Sequence, residues 1–202
     1  LLEVIVSESA RLADIVNDLL LASQLDAGTL DLQIERCDAR ELTQSVIDAA
    51  RTHLPENVTV DLEAPADGLP DVAADAGELR QVLANLVDNA IKYSPDGGAI
   101  RIKLEARDAH VRFEVADQGL GVPPAEQARI FEKFYRLDPH MSRGIGGTGL
   151  GLYISRELVK RVKGRIWVEP NGDRGSVFFV DIPTAPAPVD GGRPRQTAEA
   201  RA

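Results

Sequence analysis

The sequence predicts an α/β protein: a two-layer sandwich of a mixed, mostly antiparallel sheet with helices on one face, preceded by one long N-terminal helix. Three observations predict it. Alternating apolar stretches come in consecutive pairs, at residues 100–106 and 110–116 and again at 164–169 and 176–182. Consecutive strands make hairpins, not the strict strand–helix–strand alternation of a doubly wound sheet. Helical apolar spacing recurs between these pairs and before them. Composition is that of a globular chain, 44% hydrophobic and 27% charged over 202 residues, which allows one core domain with an appendage.

In chain order, residues 1–27 read as one helix. Leu1, Ile5, Leu12, Ile15, Leu19 and Ala22 follow the four-three spacing of a coiled-coil seam, widened by Val16 and Leu20 and interrupted by Glu8. A lone amphipathic helix cannot bury such a stripe, so it pairs with another helix, in a second subunit or on its own domain. Gly28 ends it. Leu30, Leu32 and Ile34 alternate and suggest a short strand. Asp38 caps a helix to about residue 53, with Glu41 completing a capping box in its Asp variant. Val58, Val60 and Leu62 form a strand, and residues 64–70 a loop. A helix over 75–93 stops at Ser94-Pro95-Asp96-Gly97-Gly98. After the first strand pair, a short helix follows Pro123-Pro124 and leads to Phe131. Residues 131–148 have little periodicity, and another helix starts near Gly149. The tail from Thr184, rich in Pro, Ala and Arg, reads as disordered. The expected division is a partial helical hairpin at 1–27, a linker with a short strand at 28–37, a core domain at 38–183 and the tail at 184–202.

Net charge is −9, which argues against a nucleic-acid-binding surface. The single cysteine, Cys37, excludes an internal disulfide and a zinc set, and suits a reducing, cytoplasmic compartment. No apolar run approaches membrane-spanning length. The chain starts at Leu1, not methionine, and is expected to be a piece of a longer protein.

Four stretches carry chemistry. Residues 143–152, R-G-I-G-G-T-G-L-G-L, place a glycine loop with one hydroxyl, Thr148, before a helix. Bare backbone amides and the helix dipole there make an anion site, although a plain surface loop reads the same way. On the helix 75–93, Asn85, Asn89 and Lys92 stand at i, i+4, i+7 with Glu78 near the same line, beside an apolar face of Leu79, Val82, Leu83, Leu86 and Ala90. Amide oxygens suit Mg²⁺ and the ammonium suits phosphate; taken alone, the stripe is equally a solvated polar face. Asp117-Gln-Gly-Leu-Gly121 sits at a strand end, where a carboxylate accepts from a buried donor such as an amino group on a flat heterocycle, or forms a polar turn. Phe131-Glu-Lys-Phe-Tyr-Arg136 is aromatic and basic, suited to the base of a lid or to a core helix end.

In this order and spacing, N-L-V-D-N-A-I-K-Y at 85–93, D-Q-G-L-G at 117–121, F-E-K-F-Y-R at 131–136 and G-I-G-G-T-G-L-G-L at 144–152 resemble the N, G1, F and G2 boxes of bacterial sensor histidine kinases. The resemblance spans about residues 38–183. The leading helix, ending L-L-L-A-S-Q-L-D-A-G, is similar to the second half of the hairpin through which those kinases dimerise. The resemblance implies the Bergerat ATP-binding fold, and ATP and Mg²⁺ as cofactors. Asn89, with Asn85 beside it on the phosphate side, would hold Mg²⁺. Asn85 and Lys92 would serve the transferring phosphate, and Tyr93 would lie against adenine. Asp117 would accept from the adenine amino group in a pocket shaped by Gly119 and Gly121. Gly147, Thr148, Gly149, Leu150 and Gly151 would close over the β- and γ-phosphates, with Arg136 assisting. Residues 131–148 would be a lid. It further implies a homodimer through the N-terminal helix, a response-regulator receiver domain as partner, and a soluble unit whose parent is cytoplasmic or anchored in the cytoplasmic membrane.

Gly144-Ile-Gly-Gly-Thr-Gly149, with Glu169 further on, also matches a dinucleotide-binding fingerprint, but no strand precedes it, and the chain has no G-K-[ST]. Hydrolases of the Bergerat superfamily place a glutamate where Asn85 stands, and an amide cannot take a proton at neutral pH. Anti-sigma serine kinases, which lack the leading hairpin, and a nucleotide-sensing module are the alternatives. None of His53, His110 and His140 stands in an S-H-E-x-x-[ST]-P-type box, so the acceptor histidine is expected outside this chain.

Overall fold

The computed structural model describes residues 2–66, 68–137 and 147–186, with the side chains of 2–4, 7, 10 and 11 left aside. Its centre is a five-stranded sheet of β2 (Val58–Glu63), β4 (Gly98–Arg107), β5 (His110–Ala116), β7 (Ser176–Pro183) and β6 (Arg165–Pro170), in the order β2-β4-β5-β7-β6. Only β2 and β4 pair in parallel; every other ladder is antiparallel. Parallel neighbours require a crossover, and α3 (Ala76–Lys92) supplies it. The mixed, mostly antiparallel sheet is therefore the one the sequence predicts.

Period-2 alternation decides which face is covered. Register sets Leu104 opposite Phe113, Ile102 opposite Val115, Phe113 opposite Val180 and Val111 opposite Ile182, and all of these side chains are buried. Against them pack α2 (Ala39–Arg51), α3 and α4 (Gly151–Arg161). The other face carries Arg112, whose guanidinium donates two 2.8 Å hydrogen bonds to Asp181 and lies over Trp167, itself stacked on Phe179.

Caps start two of these helices. Asp38 accepts from Glu41 N, the half of the predicted capping box that the structure displays. Asp75 accepts from Gly77 N and Glu78 N at the start of α3. It also accepts from Gln33 N, 42 residues earlier, which fastens the connecting segment to the core.

Three local expectations are corrected. Leu30, Leu32 and Ile34 form no strand: Leu30 and Leu32 lie on the core without a ladder partner, and Ile34 is exposed. Pairing begins only at β1 (Glu35–Cys37), antiparallel to β3 (Val72–Ala74), a three-residue strand too short to show periodicity. In place of one short helix after Pro123-Pro124 there are two 3₁₀ turns, Pro124–Glu126 and Arg129–Phe131. Finally, the chain does not leave the fold at Thr184. That residue bridges to Val72, Ala185 N donates to Asp71 O, and Arg36 reaches the Pro186 carbonyl.

The leading helix α1 spans Leu2–Ala27, and Gly28 adopts φ 71° at its end. Its last turns are docked on the core: Ala22 and Leu25 are buried, Asp26 binds Lys133 and the Tyr153 hydroxyl, and Arg161 donates to the Leu25 and Leu30 carbonyls. Ile5, Val6, Leu12, Val16, Leu19 and Leu20 remain exposed. No helix among the described residues is long and apolar enough to cross a membrane.

Because Asp75 caps α3 and also holds the connecting segment, Asp75→Ala should destabilise the chain by about 1–2 kcal/mol. Asp75→Asn should lose less, since an amide oxygen still caps. Denaturant midpoints of the two variants check this.

Candidate functional site

One cleft of about 900 Å³ collects most of the residues that the sequence singled out. Asn85, Asn89, Lys92 and Tyr93 line it from α3; Gly147, Thr148, Gly149, Leu150 and Gly151 line it from the loop entering α4; Arg136 lies on its rim. The helical repeat explains the first group. Leu79, Val82, Leu83, Leu86, Val87 and Ala90 are buried against the sheet, so the stripe at 85, 89 and 92 sits at the edge of that face.

The glycine loop explains the second. Gly149 adopts φ 72°, and Phe134 N donates to its carbonyl at 3.0 Å. A Cβ on Gly151 would collide with Asn85 Oδ1, so the Asn85 side chain can hold this position only beside a bare backbone there. Thr148 Oγ1 accepts from Leu150 N at 3.1 Å and closes the first turn. Residues 138–146, with Gly144 and Gly146, lie outside the described residues, as does that part of the expected lid.

Asp117, Gly119 and Gly121 do not line this cleft. They form the floor next to it, tied to Tyr93 by the 3.0 Å bond from Leu120 N to Tyr93 O. A side chain on Gly119 would collide with that same carbonyl. Asp117 is 4% exposed, and its Oδ1 accepts from Gly119 N at 2.8 Å and Ser176 N at 3.2 Å. Burial pushes its carboxyl above the usual range, against the pull of those two amides. Both of these bonds fall on Oδ1.

Sequence reasoning missed the wall made by α1. Asp14, Ile15, Asp18 and Leu19 line the cleft, and Thr148 Oγ1 donates to Asp18 Oδ2 at 3.3 Å. Burial raises the Asp18 carboxyl, offset in part by the Thr148 bond and reinforced by Asp14. No local signal marks these residues, because the contact joins positions 130 apart in the chain. Ser155, whose Oγ accepts from Asn85 Nδ2 at 2.9 Å, was likewise missed. Glu78 instead faces a small apolar recess with Leu32, Leu79 and Leu158, away from the cleft. His53 is exposed beside Asp88, His110 starts β5, and neither lines the cleft; His140 is outside the described residues.

A mixed sheet covered by helices on one face, with a glycine loop leading into a helix opposite an Asn-Asn-Lys stripe, defines a nucleotide-site class of protein. Residues 74–186 match the family model described as histidine kinase-, DNA gyrase B- and HSP90-like ATPase, and the chain belongs to that family. Within it, the chain is similar to sensor histidine kinases. It is 35% identical to the sensor-like histidine kinase SenX3 of Mycolicibacterium smegmatis over 92% of this chain and 48% of that protein. It is 31% identical to the sensor histidine kinase WalK of Bacillus subtilis over 88% of this chain and 29% of that protein. The chain thus spans half or less of these relatives. Among solved structures, full-length ShkA in complex with AMPPNP superposes with a TM-score of 0.74 at 31% identity, over 91% of this chain and 38% of that one. The nucleotide-free catalytic domain of histidine kinase ThkA gives 0.66 at 30% identity, over 75% of this chain and 96% of that one.

Asp117→Asn separates stability from recognition. The raised carboxyl pKa means that the folded state holds its proton longer than the unfolded state, so wild-type stability falls as pH rises from about 4 through the folded-state value. The amide variant lacks that loss. Its melting temperature relative to wild type should therefore climb over this window and then level off, while its affinity for adenine nucleotides drops at least about tenfold. Thermal melts at pH 4–7 and nucleotide titrations check the two arms.

Proposed function

We propose that this chain is the ATP-binding catalytic unit of a sensor histidine kinase. It binds Mg-ATP and delivers the γ-phosphoryl group to a histidine imidazole on a helix paired with α1, for relay to an aspartate of a response-regulator receiver domain. The observation that carries this reading is the single cleft in which the α3 stripe Asn85, Asn89 and Lys92 faces the glycine loop at the start of α4.

In this reading the adenine lies on Tyr93, and its amino group donates to Asp117, whose two buried amide partners hold the carboxylate in place. The backbone of Gly147, Gly149 and Gly151 and the N-terminal end of α4 receive the phosphates, with Thr148 and Leu150 shaping the loop. Lys92 and Arg136 neutralise phosphate charge. Among the described residues, no group of three or more His, Cys, Asp or Glu could hold a metal. In this reading a cation would be held by the amide oxygen of Asn89, with Asn85 beside it on the phosphate side, together with phosphate and water, a donor set that suits Mg²⁺. When bound, Mg²⁺ supplies charge neutralisation at the β- and γ-phosphates.

Transfer is in line: an imidazole nitrogen lone pair attacks the γ-phosphorus, the bond to the β–γ bridging oxygen breaks, and ADP leaves. Positioning and fixed charge provide the catalysis. No general base is required, since imidazole is already nucleophilic, and Asn85 offers none. That amide disfavours water activation and with it the hydrolase reading. A sensing module or a serine kinase of the same superfamily would share the cleft but has no use for the apolar stripe on α1. The exposed Ile5, Val6, Leu12, Val16, Leu19 and Leu20 support a homodimer through that helix, working in the cytoplasm whether or not the parent is anchored.

Asn89→Ala should weaken Mg-ATP binding about tenfold or more, near 1.4 kcal/mol, by titration calorimetry; unchanged affinity sinks the site assignment. Amide exchange across residues 131–149 should slow on adding Mg-ATP. The purified chain with γ-labelled ATP should acquire no acid-labile, base-stable phosphate by itself, and should pass label to an added hairpin that carries the acceptor histidine.

A further inference from the structure

Ser155 lies on α4 one turn beyond Gly151 and is 1% exposed. Its Oγ accepts from Asn85 Nδ2 at 2.9 Å, and Asn85 Oδ1 in turn faces Asn89 Nδ2 at 3.5 Å. A carboxamide has a donor end and an acceptor end, so each link orients the next. Ser155 Oγ is the acceptor in its bond with Asn85, and so takes the nitrogen end of that carboxamide. With Asn85 Nδ2 drawn to Ser155, Asn85 shows its oxygen to Asn89. Asn89 answers with its nitrogen, and its own oxygen is the end that Asn85 does not engage. Gly151 makes the arrangement possible, because a Cβ there would occupy the place of Asn85 Oδ1.

We propose that Ser155 is a positioning residue that sets the polarity of the two amides, so that Asn89 offers a bound cation an oxygen and not an N–H. The inference rests on the reading of this cleft as a Mg-nucleotide site and adds to it a residue that does not line the cleft. The reversed relay would turn an NH₂ group toward the cation, which cannot coordinate it.

The test uses the chain as it is. Dissociation constants for ADP are measured with Mg²⁺ and with EDTA for wild type, Ser155→Ala, Ser155→Thr and Asn89→Ala. In Ser155→Ala the Mg²⁺-dependent gain in affinity should fall about three- to tenfold, with affinity in EDTA unchanged within about twofold. Ser155→Thr, which keeps the hydroxyl, should restore it. In nucleotide-free protein the Asn85 side-chain amide protons should move upfield in Ser155→Ala, a readout free of any ligand. If Ser155→Ala keeps the wild-type Mg²⁺ gain while Asn89→Ala loses it, the site reading stands and this inference falls. A loss equal in Mg²⁺ and EDTA also overturns it, since a packing defect would act on both. A wild type with no Mg²⁺ gain overturns both.

Discussion

The close approach of α4 to α3 is the contact on which the rest of the site depends. It needs a residue without a side chain at Gly151, directly against Asn85, and a small buried acceptor at Ser155. Given these, the N-terminal end of α4 stands across a cleft from the polar stripe of α3. In the proposed reading, an anion site at a helix start and an amide oxygen for a cation then meet in one place. A larger residue at position 151 would push the Asn85 side chain out of this place.

The sheet serves as the platform for this meeting. Its buried face, with Ile102, Leu104, Phe113, Val180 and Ile182 in register, holds α3 and α4 at fixed places. Strand β5 ends at Ala116, and three residues past Asp117 the Leu120–Tyr93 bond joins the β5 exit to the end of α3. Glycine at 119 is required there because the Tyr93 carbonyl leaves no room for a Cβ. Burial of Asp117 costs stability in its charged form and is offset by two backbone amides. A buried carboxylate with one oxygen committed is specific toward a donor because an acceptor placed against it leaves that charge uncompensated.

Helix α1 gives the cleft a further wall. Its last turns are bound through Asp26 to Lys133 and Tyr153 and through Arg161 to main-chain carbonyls. One turn of carboxylates, Asp14 and Asp18, thereby faces the glycine loop. Negative charge on this side opposes the ammonium and amides on the other, so the arrangement of α1 on the core and the charge state of the cleft are coupled. The apolar stripe further up the same helix stays exposed, the feature on which the proposed pairing with a second helix rests.

Most of the platform was legible in the sequence. Period-2 and period-3.6 patterns survive in long elements such as β4, β5, β7 and α3 because each must bury one whole face. They fail where an element is short or where the chain merely rests on the core, as with β3 and the segment from Leu30 to Ile34. The residues of the cleft from α3 and the glycine loop were also legible, since helical spacing and glycine placement are local. By itself, the sequence determined the elements, the buried faces and the chemical groups available on each. Only the tertiary structure decided that Asp18 meets Thr148, that Ser155 orients Asn85, and that Asp117 lies beside the cleft and not in its wall. These contacts join residues 130 and 70 positions apart. They follow from how helices pack on a sheet, which no local pattern encodes.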